Sequence, residues 1–124
     1  MPRSSPARRT DPALSERLSE VYFALSDPVR RAILERLDEG DFLVSEIAEP
    51  FEISLQAVSR HIQVLVRAGL VRQARSGRIS RCSLNAAPIE DAALWINRYA
   101  KYWQSQFDTL AKHLARIEKD EKKK

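Results

Sequence analysis

Ser54-Leu55-Gln56-Ala57-Val58-Ser59-Arg60-His61-Ile62-Gln63-Val64-Leu65-Val66-Arg67-Ala68-Gly69-Leu70, followed by Val71-Arg72-Gln73-Ala74-Arg75-Ser76-Gly77-Arg78-Ile79-Ser80-Arg81-Cys82-Ser83-Leu84, is the stretch whose reading decides the fold. At about 100° per residue, Leu55, Val58, Ile62, Leu65 and Val66 fall on one arc of a helix, while Gln56, Arg60, Gln63 and Arg67 fall on the opposite one. The first set predicts a core face. The second predicts an outward stripe of two amides and two guanidiniums. Ser54 suits an N-cap, because its hydroxyl can accept a hydrogen bond from an orphan N–H of the first turn. Gly69 suits the C′ position, with Leu70 folding back on the last turn. Val71–Arg75 and Ile79–Leu84 flank a short connection containing Gly77, where a hairpin needs a positive φ.

The chemistry of this stretch points to a polyanion. Between Ile53 and Ile89 there is no Asp or Glu, yet Arg60, Arg67, Arg72, Arg75, Arg78 and Arg81 all lie there, with His61 beside them. One arginine would pass as an ordinary solvated charge; six without an acid between them do not. Gln and Arg make bidentate contacts to adenine and guanine edges in a major groove. A ribbon with arginines near its tip suits backbone or minor-groove contact beside such a helix.

Over the whole chain, 124 residues with 44% hydrophobic content fit one ordinary domain, and the net charge of +4 is mild. Distribution carries more than the total. Asp27, Glu35, Asp38, Glu39, Asp41, Glu46, Glu49 and Glu52 crowd the segment before the basic one. The single Cys82 excludes an intramolecular disulfide and fits a reducing cytoplasm. No apolar run approaches a membrane span, and Met1–Pro12 lacks the apolar core of a secretory signal. A soluble, cytoplasmic protein with no membrane partner is expected. Residues 1–12, with Pro2, Pro6, Pro12, Arg3, Arg8 and Arg9, predict an irregular basic arm, and residues 119–124 a charged tail. The DNA-binding and dimerisation domain is expected to span 13–118.

Ahead of the deciding stretch, Leu14, Leu18, Val21, Tyr22 and Leu25 recur at helical spacing and predict a first helix over 13–25. Asp27-Pro28 reads as an N-cap followed by Pro at N1, opening a second helix to about Asp38. Ser45 is expected to cap a short third helix, Glu46–Phe51, joined to the fourth by a tight turn. That pair predicts a helix-turn-helix. Beyond the hairpin a long helix is expected over 88–118. In it Ile96, Trp103, Leu110 and Ile117 repeat at seven, with Ala100, Phe107 and Leu114 at the complementary position and Trp95, Tyr99 and Tyr102 on a neighbouring face. So wide an apolar arc exceeds what one core needs, and predicts a homodimer through Leu14, Leu18, Trp95, Ile96, Tyr99, Tyr102, Trp103, Phe107, Leu110 and Leu114. A wrap around its own domain, or the closing of a ligand pocket, is the competing reading of that arc.

The blocks Leu25-Ser26-Asp27-Pro28-Val29-Arg30-Arg31-Ala32-Ile33-Leu34, Val44-Ser45-Glu46-Ile47-Ala48, Ala57-Val58-Ser59-Arg60-His61-Ile62-Gln63-Val64-Leu65 and Ala68-Gly69-Leu70-Val71 resemble the ArsR-type (ArsR/SmtB) winged helix-turn-helix repressors. The resemblance implies a mainly α winged-helix fold in the order helix-helix-helix-helix-strand-strand-helix, with a long C-terminal dimerisation helix and repression from a palindromic promoter operator. Carried over position by position, it implies that Ser54, Gln56, Ala57, Ser59 and Arg60 at the start of the fourth helix read double-stranded DNA. The wing would bring Arg75, Arg78 and Arg81 to the backbone. His61, at the edge of the core face, is given a structural or phosphate-contacting role.

Departures from that family matter equally. Its Cys-x-Cys metal positions fall here on Leu43 and Ser45, neither a soft-metal ligand. The last helix holds only His113, between Lys112 and Arg116, with Asp108 five residues away. No metal site and no cofactor are expected. Cys82 reads as a small hydrophobe in a wing strand. No nucleophile-base pair and no Gly-rich phosphate loop is present, and Glu90-Asp91 is explained by the helix dipole, so an enzyme is not expected. Two other readings stay open. One is a winged-helix protein-interaction module using the acid-rich third helix and the aromatic last helix. The other is a repressor released by a small organic inducer lodged near Trp95, Tyr99, Tyr102 and Trp103.

Overall fold

A computed structural model describes residues 11–122. They form two compact units, one ending at Ala92 and one beginning at Ala93.

In the first unit, α1 spans Pro12–Leu25 and α2 spans Pro28–Leu37. Asp11 caps α1 by accepting from the Leu14 N–H at 3.0 Å, so the helix begins where the sequence expected the end of an irregular arm. The rest of that arm, residues 1–10, lies outside the described residues. Asp27 caps α2 as expected, its Oδ2 accepting from Val29 N at 2.9 Å and Arg30 N at 3.1 Å, with Pro28 at the position where a missing N–H costs nothing. A short strand β1, Phe42–Leu43, follows, then α3, Val44–Ala48.

Two details here differ from the sequence reading. The third helix starts two residues early, so Ser45 sits inside it and the N-cap is Leu43, whose N–H donates to Glu46 Oε1 at 2.7 Å. Leucine has no side-chain acceptor, so only one half of a capping box forms. The strand β1 was also unexpected, since two residues carry no period. It is held by pairing Phe42 with Cys82 and Leu43 with Arg81, and by the Arg36 guanidinium 4.2 Å over the Phe42 ring.

The helix α4 covers Leu55–Arg67, and β2 (Val71–Ser76) and β3 (Ile79–Leu84) form the wing. The sheet order is β1-β3-β2, all antiparallel. Ser76 pairs with Ile79 across a two-residue turn in which Gly77 has φ +64° and Arg78 a negative φ, as a type II′ hairpin requires. α4 ends in a Schellman motif: Leu70 N–H donates to Leu65 O at 2.9 Å and Gly69 N–H to Val66 O at 2.9 Å. Gly69 has φ +80°, a conformation that L side chains avoid.

The core of this unit collects Leu18, Val21 and Ala24 from α1, Ile33, Leu34 and Leu37 from α2, Ile47 from α3, Val58, Ile62 and Leu65 from α4, and Leu70, Val71 and Cys82 from the wing. Each large side chain among them stabilises by about 1.5–3 kcal/mol relative to exposure. Ala92, in α5 (Ala87–Asn97), closes the set, and its carbonyl accepts from the Tyr22 hydroxyl at 3.0 Å.

The second unit corrects the expectation of one unbroken helix over 88–118. α5 stops at Asn97, a 3₁₀ turn occupies Ala100–Tyr102, and α6 runs from Gln104 to Lys122. Through the break the backbone closes i→i+3 bonds: Tyr99 N to Ile96 O, Tyr102 N to Tyr99 O, and Trp103 N to Ala100 O. No Gly or Pro marks the site. A 3₁₀ turn eclipses residues three apart, and it lays Tyr102 nearly parallel to Tyr99 at 6.4 Å between centroids, with Trp95 5.2 Å beyond Tyr99. Asn, Tyr and Trp also have modest helix propensity. Within α6, Phe107, Leu110, Leu114 and Ile117 keep their spacing and are all exposed, while across 97–104 the helix that would carry the heptad is interrupted. The charged tail expected from residue 119 is helical as far as Lys122.

Candidate nucleic-acid interface

The Ser54 hydroxyl accepts from Ala57 N–H at 3.1 Å, fixing the first turn of α4. From that turn Ser54, Gln56 and Arg60 are exposed, while Ala57 and Ser59 are half-buried. Gln63 and Arg67 continue the exposed stripe down the helix. Val58, Ile62 and Leu65 are buried as the wheel requires, but Leu55 is not: it is 53% exposed. At the first helical position its side chain reaches past the edge of the core, between α3 and the wing tip.

The wing divides its arginines. Alternation along the strands puts Val71, Gln73 and Arg75 on the face that carries Cys82, and Arg72, Ala74 and Arg81 on the other. The first face turns toward α4, because Gln63 Nε2 donates to Gln73 Oε1 at 3.0 Å and Gln73 Nε2 donates to Ser80 Oγ at 2.7 Å. Arg75 and the turn residue Arg78 thus lie on the α4 side or at the tip, both exposed, whereas Arg81 is exposed on the opposite side. Gln63 spends its amide on the wing. This relay of Gln63, Gln73 and Ser80 links α4 to the wing, and only Gln63 of the three was singled out from the sequence.

His61 is half-buried, with Nδ1 3.2 Å from Arg30 Nη1 and 3.9 Å from Asp27 Oδ2. Arg30 is the residue that sequence reading missed. Only 8% exposed, it donates from Nε to Ala24 O and from Nη2 to Phe23 O, both at 2.8 Å, and its guanidinium lies 4.9 Å over the Phe23 ring. It therefore ties the C-terminal carbonyls of α1 to α2 and, through His61, to the reading helix. Its position three residues after an Asp-Pro cap was the available signal. Burial pushes the Asp27 carboxyl up, but the Arg30 N–H, His61, the Val29 N–H and the Arg30 charge together outweigh it and hold that carboxyl below its ordinary value.

At the far end of α4, Asn85 binds the cap: its Nδ2 donates to Gly69 O at 2.9 Å and its N–H to Leu70 O at 2.8 Å. Leu14 and Leu18 differ in placement. Leu18 is buried in its own unit, while Leu14 is half-buried on the wall of a groove of about 220 Å³ between α1, the α4 cap and the start of α5. On the second unit Trp95 and Trp103 are half-buried, and Ile96, Tyr99, Tyr102, Phe107, Leu110 and Leu114 are exposed.

Leu43 and Ser45 lie in β1 and α3, with no thiolate between them. Among the described residues, no three His, Cys, Asp or Glu side chains gather closely enough to hold a metal ion. Cys82 is fully buried in β3, and burial pushes its thiol pKa up. Among the described residues no helix is long and apolar enough to cross a membrane.

Comparison with known proteins agrees with this geometry. Residues 25–74, from the end of α1 into the wing, match a helix-turn-helix domain family. The transcriptional repressor SdpR of Bacillus subtilis is 37% identical over 79 residues, 64% of this chain and 88% of the relative. The HTH-type transcriptional regulator NmtR of Mycobacterium tuberculosis is 31% identical over 96 residues, 75% of this chain and 80% of the relative. Among solved structures, an ArsR family transcriptional regulator superposes with a TM-score of 0.69 at 35% identity, covering 73% of this chain and 94% of that one. An ArsR-like transcriptional regulator from Rhodococcus sp. RHA1 gives 0.63 at 28% identity, covering 81% and 94%. A reading helix with an exposed polar stripe, an arginine-bearing wing and these relatives converge: the chain belongs to the ArsR family of winged helix-turn-helix transcriptional repressors.

Proposed function

We propose that this repressor acts as a homodimer on an inverted-repeat operator, its two reading helices entering successive major grooves about 34 Å apart. The observation that carries the reading is the exposed stripe of α4 beside the arginine-bearing wing, with no carboxylate between Glu52 and Glu90. Gln56 and Arg60 read base edges, supported by Ser54, Ala57 and Ser59 in the same turn. Arg75 and Arg78 contact the backbone. Arg81 lies on the far face of the wing and Gln63 bonds Gln73, so both act through the wing's position more than by direct reading. His61 holds α4 to α2. DNA binding and dimerisation lie within residues 13–118, and dimerisation draws on the exposed apolar stripe of α6 and the aromatic line Trp95-Tyr99-Tyr102. Leu18 belongs to its own core, which leaves Leu14 as the contribution of α1.

With Leu43 and Ser45 at the family's thiolate positions, the repressor is not metal-responsive: Zn(II), Cd(II) and arsenite leave its DNA affinity unchanged, and a tenfold loss with any of them overturns this. A second reading, release by a small organic inducer, shifts from the cluster of Trp95, Tyr99, Tyr102 and Trp103 to a groove of about 220 Å³ that none of those four lines and that backs onto the cap of α4. Fluorescence anisotropy of the full chain, against its own upstream DNA and a scrambled duplex across a salt series, tests the main reading. A preference of about 10³ or more with a steep negative salt slope supports it. Equal weak binding to both duplexes, together with capture of a protein partner, would favour the interaction-module reading instead.

A further inference from the structure

We infer that Leu55 is a specificity-determining residue that reads a thymine by its C5 methyl, next to the bases met by Gln56 and Arg60; this rests on the operator-binding reading above. Helical periodicity assigns Leu55 to the core, yet it is 53% exposed, while Val58 and Ile62, one turn and two turns further along the same face, are buried completely. It occupies the first turn of α4, the end that a helix-turn-helix inserts toward base edges. It also forms one wall of a groove of about 230 Å³, whose other walls are Leu43, Val44 and Ser45 on one side and Arg78, Ile79 and Ser80 of the wing tip on the other.

A nucleic-acid strand that met both the first turn of α4 and the wing tip would lie against that groove. Leu55 and Ile79, at 53% and 56% exposure, line it with apolar surface, and Arg78 adds a cation. What a duplex offers to match is the thymine methyl in the major groove and the deoxyribose edge, with a phosphate for the arginine. No carboxylate lines the groove. A leucine at this position cannot hydrogen-bond a base edge, so it contributes no purine readout. Methyl contact is the one discrimination that its chemistry provides.

The test uses the full chain and an operator obtained by selection from random duplexes. Each thymine is replaced in turn by deoxyuridine, which keeps every hydrogen-bonding group and deletes only the methyl. One symmetric pair of positions is expected to weaken binding about fourfold per half-site, the value of one buried methyl group. In Leu55→Ala the penalty at that pair disappears; in Leu55→Met, which keeps an apolar contact, it remains; in Gln56→Ala it is unchanged. Because Leu55 lies outside the core, the thermal midpoint of Leu55→Ala serves as the folding control. If selection yields an operator but no thymine responds to deoxyuridine, or if the response persists in Leu55→Ala, the role of Leu55 is wrong while operator reading stands. If selection yields no preferred sequence, both fail.

Discussion

Arg30→Ala should be the most damaging single substitution of a charged residue in this chain. The guanidinium makes two charge-assisted bonds to carbonyls at the end of α1, at 2.8 Å each, and a third to His61 at 3.2 Å. Bonds involving a charged partner are worth about 1.5–3 kcal/mol each. They do not add in full, because Phe23 is 60% exposed and water can reach its carbonyl after truncation, whereas Ala24 is completely buried. The Ala24 carbonyl and His61 Nδ1 lose their partner outright, and a positive charge leaves the negative end of α1. A loss of about 3–4 kcal/mol follows, in line with what breaking a buried ionic network costs. For a chain of this size that corresponds to roughly 10–15 °C in Tm. Urea unfolding followed by circular dichroism, at one fixed protomer concentration, measures it, with the m-value unchanged. Arg31→Ala is the control: Arg31 is exposed and bonds only the Leu25 carbonyl, and it should cost under about 1 kcal/mol. Equal small losses in the two variants would refute the idea that Arg30 ties α1 to the reading helix.

Three further outcomes are expected. The Asp27 carboxyl is held below its ordinary value in the folded chain, so its contribution to stability is complete above the unfolded carboxylate range and is lost as pH falls through the folded value; Asp27→Asn should flatten the acid limb of a stability-pH curve, and an unaltered limb would contradict this. Cys82 is inaccessible and its thiol is harder to ionise, so iodoacetamide should label it slowly in the native protein and rapidly in urea; fast native labelling would show that the wing opens. On DNA, Arg78→Ala should weaken all duplexes alike and reduce the salt slope by about one, while Gln56→Ala should change sequence preference; loss of only nonspecific affinity in both would remove Gln56 from base reading.

Much of the fold was legible because it is local. Ser54, Asp27 and Gly69 act within one turn of themselves, and each does in the structure what its chemistry allows: two caps and one left-handed C′ residue. The wing was legible for the same reason, a Gly between two β-prone runs. What failed needed partners distant in sequence. β1 exists only because Cys82 and Arg81 arrive some forty residues later to pair with it. The interruption at 97–104, where Tyr102 lies nearly parallel to Tyr99, carries no Gly or Pro, and a hydrophobic period does not register it.

The candidate site splits along the same line, and the split bears on how the reading helix is aimed. Exposure of Gln56 and Arg60 follows from the wheel alone. The side chains that set the orientation of α4 do not: Arg30 and His61 brace it against α1 and α2, while Gln63, through Gln73 and Ser80, braces it against the wing. A periodicity argument assigns Gln63 and His61 to surface or edge, because it cannot see that their partners are Gln73 and Arg30. Both braces are polar, the one through Arg30 and His61 largely buried and the one through Gln63 starting at the surface, and each joins α4 to a different neighbour. A polar brace loses its energy steeply when its geometry changes, so it favours one angle, whereas apolar packing alone tolerates small rotations. A helix whose base-reading side chains must meet fixed groove positions needs that single angle. On the proposed reading, in which Gln56 and Arg60 meet the bases, these five polar residues serve recognition by holding α4, although none of the five needs to touch DNA.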